Sequence, residues 1–167
     1  MSKVTIATAP CSWGVWYADG TPSGTPWNIF LDQAAAAGYR ALELGPDGYL
    51  PTDEAVLREE LTRRGLEVCS GTCCYQFDRY ASFDDFRTPV EALCQRLTAF
   101  GAKYLVAMDE SDVGQYSEKK RDFAPEVWNG FLEKIRRMGQ FTRDTYGIGV
   151  VSHPHIKSMI ETEAELQ

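Results

Sequence analysis

Two rhythms of apolar residues alternate along this chain. Short apolar runs give way to stretches in which apolar residues recur every three or four positions, and glycine closes most of those stretches. Residues 4–9 read as a first strand. Residues 27–37 read as a helix, with Trp27, Phe30, Leu31, Ala34 and Ala35 at helical spacing, Thr25 as its cap, Pro26 in its first turn and Gly38 as its stop. Residues 40–44 form a second strand. Residues 53–64 form a second helix, with Val56, Leu57 and Leu61 on one face and Gly65 as its end. Residues 66–70 are a third strand. Thr88-Pro89-Val90-Glu91 has the form of a capping box opening a third helix, which Gly101 ends. Residues 103–108 are a fourth strand. Residues 125–146 are a long fourth helix whose stripe is Val127, Phe131, Ile135 and Met138, beside Trp128 and Leu132. Residues 148–151 are a fifth strand, and Thr162 to Glu165 reads as the capping box of a fifth helix.

Each of the four complete helices leads within a residue or two into an apolar strand. Repeated βα units of this kind build parallel sheets. The loops leaving each strand are long and those entering each strand are short, so the loops collect at the carboxyl ends of the strands. Ligands bind at that end in barrels and in open α/β sheets alike. The expected fold is therefore α/β, with residues 1–167 as a single domain.

Composition narrows the chemistry. A hydrophobic fraction of 44% and a charged fraction of 25% suit an ordinary globular domain. The net charge of −7 disfavours a polyanionic partner, so no nucleic acid and no anionic membrane surface is expected. No apolar run is long enough to span a bilayer and no signal-like segment opens the chain, so the cytoplasm is the expected location. Five cysteines without paired spacing (Cys11, Cys69, Cys73, Cys74 and Cys94) argue against a zinc knuckle or a disulfide framework. Cys69 and Cys94 read as small core residues. Cys73 and Cys74 end a strand, where one of them could line a pocket. Neither a dinucleotide-binding glycine motif nor a phosphate-cradling loop occurs.

Polar groups gather at the strand ends. The chain's two histidines, His153 and His155, stand two apart at the end of the fifth strand, a spacing that turns two imidazoles to one face. Two half-exposed loop histidines bonded to backbone are the plainer reading; a metal or proton-transfer site is the functional one. Glu43 lies between Leu42 and Leu44 and shares a strand face with Ala41 and Gly45. A carboxylate there requires a cation, a metal or a polar cavity, and Arg40 or a lysine is the structural candidate. Asp109 and Glu110 are adjacent, so one faces a site and the other caps a turn. Trp13, beside Gly14 on the first long loop, suits either core packing or stacking on a sugar or cyclitol ring.

Three stretches together carry a resemblance. Ala9-Pro-Cys-Ser-Trp-Gly14, the run from Gly38 to Thr52 that contains Glu43-Leu44-Gly45-Pro46, and His153-Pro154-His155 resemble inosose dehydratase and the sugar phosphate isomerase/epimerase family around it. The resemblance implies a xylose-isomerase-like TIM barrel, a divalent metal (Mn, Co or Mg), and proton abstraction next to a carbonyl of a polyol, cyclitol or sugar. It implies a lyase or isomerase of carbohydrate metabolism, such as myo-inositol catabolism. It places catalytic roles on His153, His155 and Glu43, substrate contacts on Trp13 and on Asp109 or Glu110, and a metal carboxylate on Glu161, with Glu163 and Glu165 as competitors. A full barrel has eight strands and about 250 residues, whereas this sequence supplies five strands. The chain is therefore expected to be a partial barrel that binds metal weakly and turns over little alone, with pairing to a second copy as a further option. The alternative is a non-catalytic small-molecule-binding domain on a flavodoxin-like doubly wound sheet, in which strand 1 lies beside strand 3.

Overall fold

The computed structural model describes residues 4–111 and 123–166. Five parallel strands pair in chain order: β1 (Ala7–Thr8), β2 (Ala41–Glu43), β3 (Glu67–Tyr75), β4 (Tyr104–Asp109) and β5 (Gly149–His153). The helices are α1 (Trp27–Ala36), α2 (Glu54–Thr62), α3 (Arg87–Ala99), α4 (Pro125–Tyr146) and α5 (Glu163–Leu166). Strand β1 pairs with β2 and not with β3, which overturns the doubly wound alternative. The chain divides into two compact units, residues 1–72 with 96–103 and residues 73–95 with 104–167.

In the first unit, Ala7 and Thr8 lie opposite Ala41 and Leu42. The expected strand from residue 4 shortens to two residues, because β2 begins only at Ala41 and leaves Val4 and Ile6 exposed. Helix α1 packs Phe30, Leu31 and Ala34 inward. Its N-cap is Pro26, which offers no side-chain acceptor, so the expected Thr25 cap is not formed. Asp53 caps α2 by accepting from the N–H groups of Ala55 and Val56. Leu57 and Leu61 are buried, but Val56 faces outward. Arg64 joins the two helices, donating to Asp32 at 2.7 Å and pairing with Glu60.

In the second unit, the end of β3 meets β4, where Glu110 N–H donates to Tyr75 O at 2.9 Å. Strands β4 and β5 run in register from Tyr104 opposite Gly149 to Met108 opposite His153. An aromatic cluster fills the core, with Phe77 5.3 Å from Phe86 and 6.1 Å from Phe131 between ring centroids. Helix α3 begins at Arg87, ahead of the expected Thr88 cap. A capping box stands instead before a short 3-10 turn, Phe83–Asp85, with Ser82 and Asp85 as its two members. Helix α4 buries Phe131, Lys134, Met138 and Thr142, while Val127 and Leu132 are exposed. No described helix is long and apolar enough to cross a membrane.

Candidate functional site

Strand alternation decides where each candidate side chain goes. In the first unit, Leu42 and Leu44 are buried, and Glu43, between them, lies on the opposite face, half-buried. A bulge between Leu42 and Glu43 skips Cys69 and brings Ser70 opposite Glu43. Ser70 Oγ donates to Glu43 Oε2 at 3.4 Å. The thiol of the skipped Cys69 reaches Leu42 O at 3.3 Å. No ion pair to Glu43 occurs among the described residues; the expected partner Arg40 donates to Tyr39 O instead. The loop after Glu43 holds tightly to the first loop. Gly45 has φ +70°, and a Cβ there would lie 2.5 Å from Pro10 Cγ, so only glycine fits this close approach.

Trp13 is half-buried. Its indole N–H donates to Gln33 Oε1 at 2.6 Å, and its ring meets Phe30 edge-on at 5.0 Å. The tryptophan therefore braces α1. Trp16, further along the same loop, is 56% exposed and is the freer ring for stacking.

In the second unit, His153 shares a face with Met108, its register partner. Its ring lies 6.2 Å from that of His155, tilted by 36°. His155 stands outside the strand. Its backbone N–H donates to Ile160 O at 3.0 Å, and its carbonyl accepts from Ser158 N–H at 3.1 Å. The closed loop that follows β5, not strand pleating alone, thus sets the second ring beside the first. His153 is exposed and His155 half-buried.

The adjacent acids separate as alternation requires. Asp109 falls on the buried face with Leu105 and Ala107, whereas Glu110 is exposed. The Asp109 carboxylate accepts from Phe77 N–H, Ser111 N–H, Ser111 Oγ–H and Met159 N–H. Three of these donors meet Oδ1 and one meets Oδ2, so this buried carboxylate is engaged chiefly in holding its own turns. The spacing Asp109-x-Ser111 is a local turn signal visible in sequence; Met159 and Ser70, by contrast, come through long-range register that no local pattern shows.

The expected metal carboxylate Glu161 is exposed and accepts from Lys157 N–H at 2.8 Å. Glu165 accepts from the N–H groups of Glu161 and Thr162, as a capping box does. No group of three or more metal-ligating side chains occurs among the described residues, so these residues by themselves do not fit a complete metal centre. A groove of about 560 Å³ runs between α4 and the two strands β4 and β5, lined by Ala107, Ile135, Gly139, Val150 and Ser152. Phe77, Asp109, His153 and Ile160 complete its lining, so the groove reaches the first of the two imidazoles.

No family model matches the chain. Individual relatives do. An inosose dehydratase of Mesomycoplasma hyopneumoniae is 29% identical over 184 residues, covering 100% of this chain and 57% of the relative. One from Klebsiella pneumoniae subsp. pneumoniae is 28% identical over 176 residues, covering 98% and 56%. The chain is thus similar over nearly its whole length to inosose dehydratases. It spans little more than half the length of the inosose dehydratases that it matches. Among solved structures, a probable 3-DHS dehydratase of Bacillus anthracis superposes with TM-score 0.72 at 15% identity, covering 98% of this chain and 57% of that one. The IolI protein, whose structure holds a bound zinc atom, gives TM-score 0.69 at 12% identity, covering 98% and 56%. A xylose isomerase domain protein of Alicyclobacillus acidocaldarius gives 0.64 at 17%, covering 97% and 57%. The fold is that of part of a xylose-isomerase-like TIM barrel.

Proposed function

We propose that this chain serves the elimination of water from a keto-cyclitol of the inosose type, with the paired imidazoles as its acid–base groups. One neutral imidazole takes the proton from the carbon next to the carbonyl. The enolate collapses as the C–O bond at the β-carbon breaks, and the other imidazole, protonated, gives its proton to the departing hydroxyl, which leaves as water. Glu110, in the same unit as the imidazoles, makes a further substrate contact. A sugar isomerase or epimerase would share the proton abstraction and differ in the step after it. The divalent metal implied by the resemblance finds no three-ligand group among the described residues, so none of these steps is routed through it. The full reaction belongs to a protein as long as the relatives.

The observation that carries this reading is the ring pair, 6.2 Å apart, in a chain that aligns over nearly its whole length with inosose dehydratases. Both histidines report on it directly, because the chain has no others. Titration with millimolar inosose is expected to shift both imidazole NMR signals saturably, with His153→Gln and His155→Gln assigning them. Imidazoles that ignore inosose would refute the substrate assignment. Water loss by this chain alone is expected to stay far below a typical enzymatic kcat of about 1–10³ s⁻¹; turnover within that range would overturn the division of labour proposed here.

A further inference from the structure

We propose that Asp109 is a positioning residue, a buried carboxylate that clasps the turns after three successive strands and so fixes the loop presenting His155. The inference rests on His155 being a substrate-side group. Oδ1 of Asp109 accepts from Phe77 N–H at 3.3 Å, in the turn after β3. The same oxygen accepts from Ser111 N–H at 3.1 Å and from Ser111 Oγ–H at 2.6 Å, in the turn after β4. Oδ2 accepts from Met159 N–H at 2.8 Å, in the loop after β5. Ser111 extends the first link, since its Oγ accepts from Asp78 N–H at 3.2 Å.

The link to His155 is short. Met159 sits between two residues that bond to His155: Ser158 N–H donates to the His155 carbonyl, and Ile160 O accepts from His155 N–H. Ser158 and Met159 are each 1% exposed, so water does not replace the carboxylate when it is lost. His153 is held differently, by its place opposite Met108 in the β4–β5 ladder. One ring therefore depends on the clasp and the other does not. A catalytic ring must be held to about half an ångström for efficient proton transfer, and a loop of residues 154–162 without an anchor would not do that.

The distribution of donors makes Asp109→Asn a selective probe. Three donors meet Oδ1 and one meets Oδ2. An amide keeps three good bonds and loses one when its oxygen takes the Oδ1 position and its NH₂ faces Met159 N–H. Asp109→Asn is therefore expected to speed exchange of the Met159 amide by about tenfold or more and to shift or broaden the His155 imidazole signal. The His153 signal and the protection of the Phe77 and Ser111 amides are expected to stay. A folded Asp109→Asn protein with Met159 exchange and the His155 signal unchanged would overturn the proposal. So would a general loss of protection that leaves the His155 signal in place. Should the variant not fold, the wild-type chain gives the answer through the scalar coupling across the Met159 N–H to Asp109 carboxylate bond: its presence supports the clasp and its absence overturns it. Inosose titration separates the two proposals, since a proven clasp beside indifferent imidazoles keeps the clasp and sinks the substrate assignment alone.

Discussion

At the scale of single residues, burial decides which side chains react. Alternation along β3 turns Cys73 into the core and Cys74 outward, which settles which of the adjacent pair is exposed. Burial pushes the Cys94 thiol up to about 11, with Glu91 adding to the shift, and it pushes the Cys73 thiol higher still. Both thiols therefore stay protonated near neutrality, and a protonated thiol is a poor nucleophile. Iodoacetamide at pH 8 is expected to label Cys11 and Cys74 in the native protein and to spare Cys73 and Cys94, as read by mass spectrometry of peptides. The same shifts set an alkaline limit on stability. A thiol whose folded pKa is raised favours folding fully below its unfolded value, near 9, and the contribution is lost as pH climbs through the folded value. Tyr49, raised by burial to about 12, has the same sign at higher pH. The Tm is expected to fall between pH 9 and 11, and Cys94→Ala is expected to flatten that fall. An equally steep decline in the variant would show that Cys94 does not drive it.

At the scale of elements, the limits of hydropathy show best in α4. Its apolar residues predict a face through Val127, Phe131, Ile135 and Met138, yet the buried face runs through Phe131, Lys134, Met138 and Thr142. Lys134 buries its stem and donates from Nζ to Tyr80 O at 2.8 Å. Thr142 Oγ1 donates to Ile148 O at 3.0 Å. Polar residues go inside here because backbone carbonyls await them, and no periodicity reports that. Phe131→Ala is expected to cost about 3–5 kcal/mol in urea denaturation, as for other buried aromatics. Val127→Ala should stay within about 0.5 kcal/mol, as an exposed substitution does. Similar losses at the two positions would restore the face read from the sequence. Other features were legible from sequence because local chemistry fixes them: the glycines after α2 and α4 take φ +64° and +67°, and Asp53 caps α2. The histidine pair was legible for want of any competitor. What escaped sequence reading depends on partners far along the chain. The bulge that gives Glu43 its serine, and the Phe77 and Met159 donors to Asp109, belong to register and turn packing.

At the scale of the whole molecule, the strand order carries the argument. Consecutive pairing from β1 to β5 leaves β1 and β5 each with one strand neighbour among the described residues, while β2, β3 and β4 have two. In a parallel ladder, alternate residues send their N–H groups to opposite sides. Every amide of a two-neighbour strand thus has a partner, whereas a terminal strand bonds every second amide only. The barrels that this fold resembles close such edges with further strands, and an edge left unpaired invites pairing with another chain. Hydrogen exchange resolved by residue reads the difference. At low protein concentration, the amides of Tyr104–Asp109 are expected to exchange slowly throughout, and those of Gly149–His153 to alternate between slow and fast. Uniform protection along β5 would contradict an open edge. If that protection grew with protein concentration alongside a rise in sedimentation coefficient, a second copy would be the strand that covers it; if it did not, the five-strand order itself would be wrong.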